Sequence, residues 1–281
     1  MSNGIDVVVE ATRKLLSPAA PQVISLIGAP EAQIEPLRRA IEVDPVLTVR
    51  IIDYANHSFY ARQVPVASLQ RALVRLGWET SCDLLLRLVV ETATESSAGA
   101  LARPMWEHSL RVAVLTRLLA KDARVVDPAL AFTGGLVHGL GQLGLLALHR
   151  DAYATLWRNA PSGPHLARAE RQAYGFDHAR VGAGVLAQLS VPEELPGAIT
   201  RMYRASLAQR SWAGRPDLPL AALLQLSQTL LYGEGDRLDD AEWIASSRLV
   251  RRFALRDDQI ATLGVRFQDA YDRQLGAAEA A

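Results

Sequence analysis

The sequence predicts an all-α protein, and three observations carry that expectation. Apolar residues recur at helical spacing in nearly every segment, Asp-Pro and Ser start signals precede those segments, and no stretch shows convincing polar–apolar alternation between turns. Ile34, Leu37 and Ile41 follow an i, i+3, i+7 pattern that stops at Asp44-Pro45. There a second helix begins, because an aspartate accepts hydrogen bonds from free amides and proline suits the first helical position. Leu47, Ile51 and Tyr54 carry it to Asn56. Ser68 caps a short helix bearing Leu69, Ala72, Leu73 and Leu76, and Gly77 supplies a left-handed stop. Asp127-Pro128 repeats the Asp-Pro start, with Ala131, Phe132 and Leu136 inside. Asp177 opens a helix ending near Leu189, and Pro192 and Pro196 punctuate the next segment.

Composition narrows the function classes. The chain has 281 residues, 49% hydrophobic and 21% charged, enough for one large domain or two closely packed lobes and unlike a disordered segment. Lys+Arg and Asp+Glu both total 30, and the arginines are scattered. A nucleic-acid partner is therefore not expected. The start, MSNGIDVVVEATRKLL, lacks the basic and then apolar pattern of a signal peptide. The most apolar passage, 134–148, is too short and too interrupted by His138 and Gln142 to span a bilayer. Cys82 is the single cysteine, so no internal disulfide forms, and it shares a helix face with Leu85 and Val89 as a packed thiol. The expected compartment is the cytoplasm, with no membrane partner. Residues 95–104 and 211–219 read as joints, and 159–164 as a loop. The alanine-rich last six residues read as frayed.

Chemistry could reside in the six histidines, His57, His108, His138, His149, His165 and His178. His108 lies on a helix with Leu110, Ala113, Val114 and Leu118, His138 ends the helix begun at Asp127, and His178 follows the Asp177 cap. Histidines from adjacent helices build metal sites in bundle folds, but a hydrolytic centre also needs carboxylates to neutralise and bridge the ions. His57 reads as a helix-end residue, and His149 and His165 as loop residues without a role. Asn56 and Ser58 read as turn formers. Arg71 with Arg75, and Arg248 with Arg252, read as solvated helix faces. No dinucleotide-binding, Walker or nucleophile-elbow motif is present, so the glycines of GGLVHGLG do not imply phosphate binding.

Four stretches, in order, resemble the HDOD family, a branch of the HD phosphohydrolase superfamily. AIEVDPVLTVRIIDYANHSFY with VASLQRALVRLG is similar to the signature of the family's N-terminal lobe. EHSLRVA is similar to the helix that gives the first HD histidine, and GGLVHGLGQLGLL to the "GLLHDIGKL" stretch. ERQAYGFDHARVGAGVLAQLSVPEEL (170–195) is similar to "E…FGFDHAEVGAELLRRWGLPEEI". The resemblance covers about 17–210. It implies an N-terminal extension (1–16), an HDOD domain (17–210) with a helical lobe (17–100) and an HD-like lobe (101–210), and a C-terminal helical segment (211–281) completing that lobe.

The departures direct the functional expectation. His108 and His138 stand at the first two ligand positions, but the aspartate of the His-Asp pair is Gly139. A His-His pair frequent in the family is Met202-Tyr203, the usual lysine is Gln142, and the final aspartate falls near Gln228. Two neutral imidazoles cannot offset a divalent charge away from water. The expectation is thus a non-enzymatic bacterial signalling module with no metal and no cofactor. It would bind another signalling protein or a cyclic dinucleotide at a cleft of His108, His138, Gly139, His178 and Gln228. The alternative is a metal-dependent phosphohydrolase or phosphodiesterase acting on a nucleotide or cyclic dinucleotide, ligated by His108, His138 and His178, with Asp177 or Asp122 replacing the lost carboxylates. A third reading is an adaptor that self-associates through 220–275.

Overall fold

The computed structural model describes residues 2–17, 19–27, 34–57, 66–160, 163–189, 191–204, 207, 211–232 and 248–279. Among them every regular element is helical, as the periodicity requires. An N-terminal group comprises α1 (Ser2–Leu15), α2 (Ala20–Ile27), α3 (Ile34–Glu42), α4 (Pro45–His57), α5 (Leu69–Leu76) and α6 (Trp78–Ala98). A 3-10 turn (Gly99–Leu101) leads into α7 (Ala102–Ala123), α8 (Pro128–Val137), α9 (Leu140–Asn159), α10 (Gly163–Tyr174), α11 (His178–Leu186), α12 (Glu194–Arg201) and α13 (Asp217–Tyr232). A short helical stretch (248–252) precedes α14 (Asp257–Glu279).

The start signals act as the sequence indicates. Asp44 Oδ1 accepts from the Val46 and Leu47 amides at 3.0 and 3.1 Å, and Asp127 Oδ1 from Ala129 and Leu130 at 2.8 and 3.0 Å. Asp177 caps α11 through the Arg180 amide (2.9 Å), and Ser68 caps α5. Gly77 stops α5 at φ 77°, a backbone region that favours glycine, and α6 restarts at once. The expected joint at 95–104 narrows to the 3-10 turn Gly99–Leu101, since 95–98 belong to α6 and 102–104 to α7.

One continuous core runs from Val8 on α1 to Phe267 on α14. Helix α6 packs against α2, α4 and α5 on one side and α7, α8 and α9 on the other, so the two lobes share it. Helix α1, expected as an extension, instead lies against α9 and α11, with Val8 and Val9 buried. Its packing is close: a Cβ at Gly144 of α9 would collide with Thr12 and the Val8 carbonyl. The glycines of the His138 region thus serve helix approach. A Cβ at Gly135 would strike the Ala113 backbone, and one at Gly141 would strike the His178 carbonyl.

Several sequence expectations need correction. His149 and His165 lie on α9 and α10 rather than in loops, and His149 stacks on Tyr174 with ring centroids 4.3 Å apart. Asn56 does more than form a turn: its amide pairs with both backbone groups of Val66 at 2.9 Å, tying α4 to the entry of α5. Arg75 turns inward to the Ala55 carbonyl (3.4 Å), and Arg252 stacks over Trp212 at 4.0 Å, so neither is simply solvated. Arg71 and Arg248 are exposed as expected. The His57 side chain and Ser58 fall outside the described residues. Cys82 is buried, and burial pushes its thiol pKa to about 12.

Helix α9 is bent back on itself at Arg150 (φ 37°). In a straight helix Gln142 and Trp157 would be about 22 Å apart. Here Trp157 Nε1 donates to Gln142 Oε1 at 3.3 Å. The stretch Pro128–Asn159 is long and apolar enough to cross a membrane by length and composition, yet 89% of that window is buried inside the protein. Its reversals at Gly139 and Arg150 make it core.

The close approaches have a measurable consequence. Gly141→Ala should destabilise the fold by about 3 kcal/mol or more in urea denaturation, because the opposing His178 carbonyl belongs to a helix backbone that cannot step aside. A change below about 0.5 kcal/mol would show that the α9–α11 contact is looser than described.

Candidate functional site

Five histidine-bearing or HD-related positions converge where α7, α8, α9, α11 and α13 meet. His108 lies on α7, His138 caps the end of α8, Gly139 begins α9, His178 opens α11 and Gln228 lies on α13. The rings of His108 and His138 stand edge to face with centroids 5.3 Å apart. His138 is fully buried; its Nδ1 hydrogen donates to the Gly135 carbonyl at 2.6 Å, and among the described residues Nε2 has no hydrogen-bond partner. Burial, then the charges of His178 and Arg111, lowers the His108 pKa to about 4. Burial, then His108, holds His138 well below the usual imidazole range. Both rings are therefore neutral at pH 7.

His178 has a different environment. Its Nδ1 lies 2.7 Å from Glu170 Oε2, and its backbone amide donates to the same oxygen at 2.8 Å. Glu170 Oε1 accepts from the Tyr153 hydroxyl at 2.6 Å. On the other side of the ring, His178 Nε2 lies 2.8 Å from the Tyr203 hydroxyl, which itself donates to Gln228 Oε1 at 2.9 Å. Both ring nitrogens of His178 thus have a hydrogen-bond partner, Glu170 on one side and Tyr203 on the other. Burial opposes a charged His178, but the Glu170 charge and hydrogen bond outweigh it and raise the pKa. Glu170 and His178 are both fully buried.

The expected cleft is closed. Gly139, His138, His178 and Gln228 are all buried, with Gln228 only 1% exposed; the Tyr203 and Glu170 side chains hydrogen-bond to either side of the His178 ring, and only His108 keeps partial exposure. A surface hollow of about 610 Å³ lies elsewhere, bordered by Leu189, Glu193, Arg201 and Asp217.

The residues present do not fit an HD metal centre. His178 has both nitrogens committed, Gly139 has no side chain, and Gln228 offers a neutral amide. Among the described residues no three His, Cys, Asp or Glu side chains are placed to hold one ion. Asp177 is engaged as the α11 cap and with Arg171, and Asp122 with Arg266 at 2.7 Å, so neither substitutes for the missing carboxylates. Sequence reading missed Glu170 and Tyr153 and noted Tyr203 only as a replacement. The available signal was Glu170 opening the 170–195 stretch eight residues before His178.

The opposite shifts set a pH profile. His108 and His138 titrate lower in the fold than the ordinary 6.5, so their contribution is complete above 6.5 and lost as pH falls, for His108 through about 4. His178 titrates higher in the fold, so its contribution is complete below 6.5 and lost as pH rises through the raised value. The thermal midpoint measured between pH 4 and 9 should peak near neutrality. In His178→Gln the alkaline limb should flatten, and an unchanged alkaline limb would contradict this assignment.

The chain also has recognisable relatives. A family profile described as the HDOD domain matches residues 15–205. No functionally curated protein matches. Among solved structures, a protein from Shewanella amazonensis SB2B provisionally described as a phosphohydrolase shares 20% identity at TM-score 0.68, covering 98% of this chain and 97% of its own. An HDOD domain protein of unknown function from Geobacter sulfurreducens shares 17% at TM-score 0.65, covering 96% and 99%. A protein from Marinobacter aquaeolei VT8 provisionally described as a signal transduction protein shares 21% at TM-score 0.62, covering 89% of this chain and 59% of its own. These likenesses concern the fold, and with the profile match over most of the length they show that the chain belongs to the HDOD family.

Proposed function

We propose that the chain is a non-catalytic signal-transduction module that acts by binding another protein. One observation carries this reading: His178, the third histidine of the cluster, is committed through both nitrogens to Glu170 and Tyr203. A hydrolase of the HD kind needs ligands with free lone pairs and an open position for activated water. Here the seat is filled by protein groups, and the lost carboxylate positions are a glycine and an amide.

A module without chemistry works through its surface. Val43, Val46 and Val49 follow one another along the α3–α4 corner and are 60%, 58% and 64% exposed. Beside Val43 lies a hollow of about 470 Å³ bordered by Leu26, Pro36, Arg39 and Ala40. Exposed apolar strips of this kind mark protein-binding faces, and this one lies on the N-terminal lobe, away from the histidine cluster.

Two measurements test the reading. Phosphodiesterase and phosphatase assays with Mn²⁺, Fe²⁺ and Mg²⁺ should give no turnover above buffer; sustained turnover abolished by His138→Ala would establish the hydrolase instead. The double substitution V46D/V49D should cut partner capture at least tenfold while leaving the thermal midpoint within about 2 °C, since exposed substitutions cost little stability. Undiminished capture would remove this face from consideration, and a midpoint shift with a cyclic dinucleotide would replace the protein partner with a nucleotide.

A further inference from the structure

We infer that His178, held between Glu170 and Tyr203, is a buried histidinium that supplies the positive charge around which four helices and the turn after α12 are tied. The argument begins with hydrogen-bond direction. Gln228 Oε1 can only accept, and Gln228 Nε2 points instead toward the Met202 sulfur (3.6 Å) and the Leu224 carbonyl (3.5 Å). The Tyr203 proton therefore goes to Gln228, and the 2.8 Å contact between Tyr203 and His178 Nε2 requires a hydrogen on that nitrogen. On the far side, Glu170 is a carboxylate that already accepts from Tyr153 and from the His178 amide. The 2.7 Å contact with Nδ1 requires a hydrogen there too. A ring with hydrogens on both nitrogens is a cation.

The cation is matched to its surroundings as an ion would be. Its nearest counter-charge, Glu170, is fully buried and has both oxygens hydrogen-bonded, so neither partner of the pair is left bare. The chain Tyr153–Glu170–His178–Tyr203–Gln228 joins α9, α10, α11, the residue just beyond α12, and α13. The fit at the Gln228 end is tight, since a Cβ on Gly163 would come within 2.9 Å of the Tyr203 ring and hydroxyl. His108 and His138 stay neutral on the other side, because burial, and then the neighbouring imidazoles, disfavour a charge on either ring. The inference rests on the non-catalytic reading only in requiring that no metal displaces the proton.

The deciding experiment is heteronuclear NMR of the imidazole ¹⁵N signals in full-length protein at pH 7, assigned with His178→Gln. The expected spectrum shows His178 with both nitrogens protonated, and His108 and His138 neutral. Tyr203→Phe and Glu170→Gln should each lower the thermal midpoint by roughly 5 °C or more, since each leaves a buried donor or acceptor unpaired. Glu170→Gln should also move His178 to the neutral form, a response that packing alone would not produce. If Glu170→Gln fails to fold, Tyr203→Phe and the wild-type spectrum still decide. A neutral His178 in the wild type, or midpoints unchanged in both variants, overturns the inference while leaving the non-catalytic reading intact. Metal-dependent turnover in a protein whose His178 stays doubly protonated overturns that reading and leaves this one standing.

Discussion

A single buried carboxylate organises the HD-like half of the molecule. Glu170 has no contact with water, so its charge must be met entirely by protein donors, and three of them converge on it from Tyr153, the His178 ring and the His178 backbone. Removing one partner from a buried pair of this kind typically costs about 3–5 kcal/mol, because the other charge is then stranded. That penalty constrains the neighbours. Tyr153 must be brought back by the bend at Arg150, α11 must start at His178, and Tyr203 must close the outer side of the ring. The arrangement is specific because each polar atom has few alternatives inside a low-dielectric core.

Close helix approach is the second constraint, and it explains why glycines crowd the region that gives HD enzymes their ligands. Gly135 lets α8 rest against α7, Gly141 lets α9 rest against α11, and Gly144 lets α1 rest against α9. Small residues at these crossings bring backbones near enough for the histidine cluster to form without a cavity between the helices. The apolar character of 134–148 thus reflects packing on every side.

Much of this was legible in the sequence. Helix starts at Asp44, Asp127 and Asp177 were readable because a cap is a local interaction, set by one side chain and the amides two or three residues on. The convergence of His108, His138, His178 and Gln228 was readable through family resemblance. What escaped depended on long-range geometry. Nothing local told Tyr153 to reach Glu170, since the bend at Arg150 comes from a non-glycine residue held at positive φ by its surroundings. The docking of α1 was hidden for a similar reason: its apolar stripe announces a buried face without naming the partner. The expected cleft did not open: four of its five residues are buried, and Tyr203, noted as the loss of a ligand, hydrogen-bonds between His178 and Gln228.

The last helix is held from far away in the chain. Arg87 on α6 is 1% exposed, and its guanidinium donates to the Gln274 carbonyl at 2.5 Å across 187 residues of sequence. Asp122 and Arg266 close a second such loop, of 144 residues. During synthesis, therefore, a buried cation on α6 waits for another 187 residues before this acceptor arrives. Until then the growing polypeptide carries a charged group in a core that lacks this acceptor, a state prone to reopening and to capture by other chains. The order of translation thus becomes a property of the fold: a buried side chain of α6 is completed by a carbonyl made 187 residues later.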